Sequence, residues 1–208
     1  MTTIEAGSIL ARSGRRALIT IAWVALALLG FSPTLAQDQA PPRAPDWAGI
    51  APEMKRLHVL SGLWRHEIEV FAPKKAEWRK AGVFFGRYDL KFGGYYVEGT
   101  FSIPLGGEMG FTNSLILSYD KFRKVYRMVA LEDVVGIADL FIGNFEGETL
   151  VLSNQSTGTY GPNMRGELEP VRIGINFKGG HPSSMHFEAF RQGNWVPMMR
   201  FTLSKALD

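Results

Sequence analysis

The residue of this chain with the most chemical potential is a histidine on an apolar strand face. His66 alternates with Trp64, Ile68 and Val70, and charged residues occupy the positions between them. Because alternate side chains of a β-strand share one face, this pattern predicts that His66 points into the protein interior. A buried imidazole can contact the polar group of a ligand or, beside a carboxylate, act as a general base. It can also be a histidine that simply packs in the core, so both interpretations stay open.

Two arginines stand out for the same reason. Arg127 alternates with Val125 and Val129, and Arg191 follows Ala189 on one predicted strand face, so both are expected to point inward. An arginine keeps its charge, and inside a protein it needs a carboxylate, water or an aromatic ring. One interpretation is that the arginines bind the anionic head of an amphipathic ligand. The alternatives are structural plugs and an error of one residue in the assumed register.

The predicted ligand-binding set therefore combines inward polar residues with tyrosines on neighbouring strands. Its members are His66, Tyr95, Tyr119, Arg127 and Arg191. Aromatic and aliphatic residues would surround the rest of the ligand, as in most small-molecule pockets. The expected ligand is a small amphipathic or anionic hydrophobic molecule.

Established catalytic signatures are missing from the sequence. It contains no Gly-x-Ser-x-Gly, no phosphate-binding glycine loop and no His-Glu-x-x-His, because His66-Glu67 supplies only the first half of that motif. With no Cys and four His, a dedicated metal site is not expected. No cofactor is predicted, and no catalytic residue is assigned.

The elements that must position these residues are almost all strands. A single helix is predicted over 51–61, with Pro52 in its first turn and Gly62 placed to end it. From Leu63 onward the hydrophobic period is two. The predicted strands cover 63–71, 82–91, 94–103, 111–119, 125–132, 137–146, 149–154, 165–178, 184–192 and 194–204. Short links imply antiparallel neighbours, so the expected fold is all-β, an antiparallel closed barrel of about ten strands.

The N-terminal region reads as a targeting segment. Three arginines precede an apolar stretch at 17–31, and small residues at Thr34–Ala36 suit a signal peptidase. Residues 1–36 are therefore predicted to be a signal peptide cleaved near Ala36, with a membrane anchor as the alternative. Residues 37–48 form a predicted flexible linker and 49–208 the barrel domain. The mature protein is expected to be periplasmic or secreted.

The composition limits the classes of partner that this protein is expected to have. The chain has no Cys, so disulfides cannot stabilise it after export. Removing residues 1–36 takes three Arg and one Glu from the formal charge of +3 and leaves +1. No basic stripe of the kind that nucleic acids need is visible. Charges on the polar strand faces also disfavour a membrane-spanning barrel, so no integral span is expected after signal removal. A monomer or weak dimer is predicted.

Three motifs carry a family resemblance. A helix leads into Gly-x-Trp at Met54–Trp64, a Tyr-Asp turn follows at Ser118–Asp120, and Gly193–Thr202 contains Gly-x-Trp-x-Pro-Met. In these motifs the chain resembles a bacterial secreted lipocalin-like (calycin) family that is catalogued as a domain of unknown function. The resemblance implies a calycin-type barrel and supplies no established activity. In such a barrel Gly62 and Trp64 would form the structural base.

These observations favour an exported binding protein that encloses its ligand in a barrel pocket. An alternative is an enzyme, an isomerase or hydrolase, that uses His66 with a nearby carboxylate. A third hypothesis is an envelope interaction protein whose barrel core is filled.

Overall fold

The structure is a computed structural model that describes residues 48–106, 109–134, 136–163 and 165–206. The predicted signal peptide at 1–36 lies outside these ranges, as does all of the predicted linker except Ala48. The fold that follows is that of residues 49–206, the described part of one compact unit.

Strands dominate the described chain. In order, the elements are α1 (Pro52–Lys55), a first 3₁₀ helix (His58–Leu60), β1 (Gly62–Ala72), β2 (Glu77–Lys91), a second 3₁₀ helix (Phe92–Gly94), β3 (Tyr96–Gly106), β4 (Met109–Asp120), β5 (Val125–Glu132), β6 (Ala138–Glu146), β7 (Thr149–Ser153), β8 (Gly161–Pro162), β9 (Leu168–Glu169), β10 (Val171–Lys178), β11 (His181–Arg191) and β12 (Asn194–Lys205). Short turns join most of them, as expected for an antiparallel meander.

Ten of these strands close into one ring. Its order is β1-β12-β11-β10-β7-β6-β5-β4-β3-β2, and every neighbouring pair is antiparallel. The seam between β1 and β12 runs from Trp64 opposite Lys205 to Val70 opposite Met199. The two remaining strands, β8 and β9, form a small hairpin in the connection from β7 to β10. The predicted all-β closed barrel of about ten strands is confirmed.

The period-two pattern explains why one face of each strand is buried. In β7, Leu150 and Leu152 are fully buried, whereas the three residues that alternate with them are partly exposed. Met128 and Leu117 share a cross-strand pair and are buried in the same way. A continuous apolar core therefore lines the inside of the ring, because alternate side chains of every strand point to that side.

Two local departures from the predicted elements have clear physical causes. The predicted strand over 165–178 is interrupted at Pro170, which separates β9 from β10 because proline has no N–H for the ladder. The predicted helix at 51–61 is one turn of α-helix followed by a 3₁₀ turn, without a side-chain hydrogen bond at its N-terminus. Short pieces of this kind depend on tertiary packing rather than on helix propensity.

These two helical turns cover one end of the barrel, which we call the cap end. Met54, Leu57 and Leu60 are buried against the core. The indole N–H of Trp64 in β1 donates to the carbonyl of Leu60 at 2.6 Å. The first strand is thereby fixed beneath the segment that precedes it.

Polar contacts hold the cap to the turns around it. The Tyr126 hydroxyl donates to the Glu53 carbonyl at 3.0 Å. The Arg56 guanidinium donates to the Gly147 carbonyl at 3.2 Å and lies 3.4 Å from the centre of the Phe145 ring. The cap is therefore attached to β5 and to the turn between β6 and β7, as well as to its own strand.

The outer wall carries paired charges. Arg172 donates to Glu188 at 2.7 Å and its guanidinium stands 4.6 Å from the Trp195 ring centre, while Arg200 donates to Glu69 across the seam at 2.7 Å. None of the helices in the described part of the chain has the length and apolar character needed to cross a membrane.

Candidate ligand-binding site

His66 lies inside the barrel, in a layer of aromatic rings. It is 1% exposed. Its ring stacks on Phe84 with centroids 4.6 Å apart and an interplanar angle of 18°. Tyr88, Phe101 and Phe201 lie next, with centroid distances of 6.1, 5.9 and 6.0 Å. The predicted inward orientation of His66 agrees with this placement.

Both ring nitrogens of His66 are buried and have no hydrogen-bond partner among the described residues. Burial lowers the pKa of His66 from 6.5 to about 4, because the charged imidazolium would lose its hydration. At neutral pH the ring is therefore uncharged, with one nitrogen that donates and one that accepts a hydrogen bond. Leaving such groups unsatisfied costs about 1–3 kcal/mol each.

Tyr88 is the second polar group of this layer. It is 1% exposed, and its hydroxyl has no partner in the described part of the protein. Burial raises the pKa of Tyr88, so the phenol stays protonated. Two glycines make room for the rings. A Cβ at Gly99 would lie 2.5 Å from the Tyr88 ring, and one at Gly86 would lie 3.0 Å from His66 Nε2.

A carboxyl group faces the interior from the opposite wall. Asp139 shares its face of β6 with buried Phe141, and β6 is the fifth strand from β1 in either direction round the ring. Asp139 Oδ1 is buried without a partner among the described residues. Desolvation, and then the charge of Glu132, raise the pKa of Asp139 from 3.8 to about 6.

Arg127 does not point into the barrel, so the prediction for β5 was wrong. The buried residues of that strand are Tyr126 and Met128, which places Arg127 on the outer face with a side chain 37% exposed. Its Nη1 lies 3.8 Å from Asp120 Oδ2. The opposite alternation of β5 is the one that packs in the core.

Arg191 follows the inward face of β11 only to its end. There it forms a bidentate ion pair with Glu169 of β9. Its Nη2 lies 2.7 Å from Oε2 of Glu169, and its Nε lies 3.0 Å from both carboxylate oxygens. Asn163 donates to the same carboxylate at 2.6 Å. The pKa of Glu169 is lowered, first by the hydrogen bond from Arg191. Arg191 thus holds the β8–β9 hairpin to the rim and is not available to the interior.

The two predicted tyrosines belong to the cap end. Tyr95 lies in the turn before β3, is 42% exposed, and its hydroxyl accepts the Gly49 N–H at 3.1 Å. Tyr119 packs on Tyr126 with ring centroids 4.9 Å apart. Desolvation, followed by nearby Glu53, raises the pKa of Tyr119. The structure therefore does not bring either tyrosine to the layer around His66.

Gly62 and Trp64 lie where the barrel meets its cap. Trp64 is buried beneath Leu60. Gly62 has φ of 123°, a conformation that favours glycine, and a Cβ there would lie 3.3 Å from the Lys205 side chain. The glycine thus allows β1 to begin close against the last residue of β12.

Two inward polar groups, Tyr88 and Asp139, were not among the predicted site residues. Tyr88 alternates with Phe84, and Asp139 alternates with Phe141 and Phe145, so the reasoning applied to His66 would have found both. The signal for Asp139 was a carboxylate on an otherwise apolar strand face, which is costly unless it has a purpose.

The chemistry available at this site is hydrogen bonding in an apolar surrounding. The enzyme hypothesis needs an acid beside His66, and no carboxylate of the described residues hydrogen-bonds to either nitrogen. Within the same ranges no group of three or more His, Cys, Asp or Glu is arranged to hold a metal ion. The layer of His66 and Tyr88 can instead contact a polar group on an otherwise apolar molecule.

Comparison with known proteins gives no further constraint. Neither the protein-family models nor the curated proteins yield a match to this chain. The resemblance to the lipocalin-like family remains a prediction from three motifs, and function has to be argued from the barrel itself.

Proposed function

We propose that the barrel binds a small, neutral, largely apolar molecule that carries one hydrogen-bonding group. The observation that carries this proposal is the pair of buried polar side chains, His66 and Tyr88, whose nitrogens and hydroxyl lack partners among the described residues. A ligand that pairs with them removes a penalty of about 1–3 kcal/mol per group. The aromatic rings beside them supply the apolar contact surface.

The size of the ring supports enclosure. Barrel diameter grows with strand number, and eight strands are already enough to hold one small ligand. Ten strands form this ring. A ring of this size favours enclosure of a ligand of modest size.

The charge of the interior favours a neutral ligand over the anionic one first considered. Arg127 lies on the outer wall and Arg191 is paired with Glu169 at the rim. His66 is uncharged at neutral pH because its pKa is about 4. An anion would therefore enter an apolar space without a described cation to pair with, which is strongly unfavourable.

Two matched probes test the preference for a neutral ligand. N-phenyl-1-naphthylamine is neutral and fluoresces in apolar sites, and 1-anilinonaphthalene-8-sulfonate has the same aromatic frame with a negative charge. We expect the neutral probe to bind the purified protein at least about tenfold more tightly, since a charge is costly to bury. Equal affinities, or no binding of the neutral probe, would contradict the proposal.

Variants locate the probe at the proposed site. Tyr88→Phe removes only the hydroxyl, and His66→Leu removes both ring nitrogens. Loss of one hydrogen bond is expected to weaken the neutral probe roughly threefold to tenfold. Tyr96→Phe and His186→Leu make the same chemical changes at positions outside the aromatic layer, and they should leave the affinity unchanged.

Native mass spectrometry of protein expressed with its N-terminal region provides an independent check. A small neutral molecule that leaves on denaturation is the expected result, and its mass identifies the ligand class. The same spectrum measures the start of the mature chain, which we expect at Gln37 if the protein is exported. Protein that neither carries a ligand nor binds the neutral probe would favour the filled-core hypothesis.

A further inference from the structure

Two neighbouring turns at the cap end present phenylalanines to solvent. Phe92, between β2 and β3, is 81% exposed, and Phe122, between β4 and β5, is 76% exposed. The strands that carry these turns are adjacent, since β3 pairs with β4 and Tyr96 lies opposite Ser118. Tyr95 and Tyr96, beside Phe92, are also about 40% exposed. We call Phe92, Tyr95, Tyr96 and Phe122 the aromatic tip.

The backbone at Phe92 has an unfavourable conformation. Its φ is 50°, in the left-handed region, which a bulky residue rarely adopts and which Gly or Asn would occupy more easily. Such a conformation is unfavourable for a residue with a large side chain. The Phe92 ring contacts Tyr96 edge-on, with centroids 5.6 Å apart. A strained turn that holds an aromatic ring in water points to a surface that the ring contacts.

One backbone residue joins the two turns. The N–H of Gly49 donates to the Tyr95 hydroxyl at 3.1 Å, and the ammonium of Lys121 donates to the Gly49 carbonyl at 2.7 Å. Gly49 begins the barrel unit, so the chain enters this unit between the two turns. The apolar stretch at 17–31 precedes that point in the sequence.

Basic residues flank both phenylalanines. The segments 91–95 and 120–124 contain four basic residues and one acid: Lys91, Lys121, Arg123, Lys124 and Asp120. Lys91 is also 3.2 Å from Glu98, and Arg123 is 2.9 Å from Asp120, so part of this charge is balanced locally. The two turns therefore contain more basic than acidic residues.

We propose that the aromatic tip docks on the surface of an anionic lipid bilayer, with Phe92 and Phe122 inserted at the level of the headgroups. Aromatic side chains favour the membrane–water interface, and Lys or Arg close to an anionic surface adds electrostatic attraction. Two exposed rings on separate turns can both insert into the headgroup region of a bilayer.

The test measures partition of the full chain onto vesicles by flotation, with phosphatidylcholine alone or phosphatidylcholine mixed with phosphatidylglycerol. The double variant Phe92→Ser and Phe122→Ser should partition about tenfold less onto the anionic vesicles than the parent, because both apolar contacts are lost. Phe85→Ser is the matched control, because Phe85 is 55% exposed on the barrel wall away from both turns. Residues 1–48 are the same in every variant, so any contribution they make to vesicle binding is the same in the variants and in the parent.

A single label shows which surface touches the lipid. The chain has no Cys, so Phe122→Cys can carry an environment-sensitive nitrobenzoxadiazole dye at one position. Its emission should shift to the blue on anionic vesicles, and the same dye at Leu168→Cys, which is 66% exposed at the opposite end, should not shift. Equal shifts at both positions, equal partition of the double variant and the parent, or equal binding to neutral vesicles would overturn the proposal.

Discussion

At the scale of single residues, His66 and Asp139 respond to pH in opposite directions. The pKa of His66 is about 4 in the folded chain and 6.5 when unfolded, so the unfolded chain takes up a proton first as the pH falls. The pKa of Asp139 is about 6 when folded and 3.8 when unfolded, so there the folded chain takes up the proton first. Between these pH values, the contributions of His66 and Asp139 to the free energy of unfolding change in opposite directions. The parent protein shows only their difference.

Substitution of His66 separates its contribution to pH-dependent stability from that of Asp139. Stability from the neutral imidazole is fully present above pH 6.5 and is lost as the pH falls toward 4, by about 3 kcal/mol in total. His66→Leu lacks this loss, so its free energy of unfolding relative to the parent should improve steadily from pH 7 to pH 4. Urea unfolding at several pH values measures the difference.

Asp139→Asn serves as the counterpart. Stability from the protonated carboxyl is present below pH 3.8 and lost as the pH rises through 6. Relative to the parent, this variant should gain stability from pH 4 to pH 8, the reverse of His66→Leu. A pH-independent difference for either variant would mean that the group is solvated in the folded protein.

The orientation of single residues was predictable only where one strand face was clearly apolar. Beside His66 the alternate face of β1 is charged, so only one orientation is compatible with a core. In β5 both faces carry apolar residues, and the pairing of Met128 with Leu117 decides between them. The ion pair of Arg191 depends on where the β8–β9 hairpin folds back, and no local pattern contains that information.

At the scale of elements, the short cap depends on contacts with barrel turns. Arg56 both donates to Gly147 and covers the Phe145 ring. Arg56→Ala should therefore loosen the cap, at a cost of about 1 kcal/mol. Hydrogen exchange of peptides over 50–60 should become faster, while exchange in β10 and β11 stays slow. Lys55→Ala changes an exposed neighbour on the same helical turn and should leave the exchange rates unchanged. If both variants exchange alike, Arg56 does not hold the cap.

Elements were predicted well because hydrophobic period and turn residues agree along most of the chain. The observed strand boundaries differ from the predicted ones where backbone hydrogen bonding, rather than the hydrophobic pattern, determines where a strand begins or ends. Pro170 ends a ladder that the apolar pattern continues, and β2 starts at Glu77 because it pairs with the extended end of β1 at Ala72. The cap is two short turns rather than one helix because the burial of Leu57 and Leu60 sets its path.

At the scale of the whole molecule, the closed ring should unfold in one step. Removing any strand exposes two unpaired edges and the common core, so partial unfolding of the ring is unfavourable. Far-ultraviolet circular dichroism reports the strands, and fluorescence of the tryptophans, Trp64 beneath the cap among them, reports tertiary packing. We expect the two signals to give the same midpoint in urea. An earlier fluorescence change would show that packing around the tryptophans is lost before the sheet.

The seam also determines how the protein must fold. Glu69 and Arg200, which meet across it, are 131 residues apart in the chain. Such non-local pairing is slow, since a large loop must close before any contact compensates for it. Until then β1 and β12 are both bare edges that can pair with another copy. Refolding yield therefore depends on the relative rates of ring closure within one chain and association of two chains. Dilution favours ring closure.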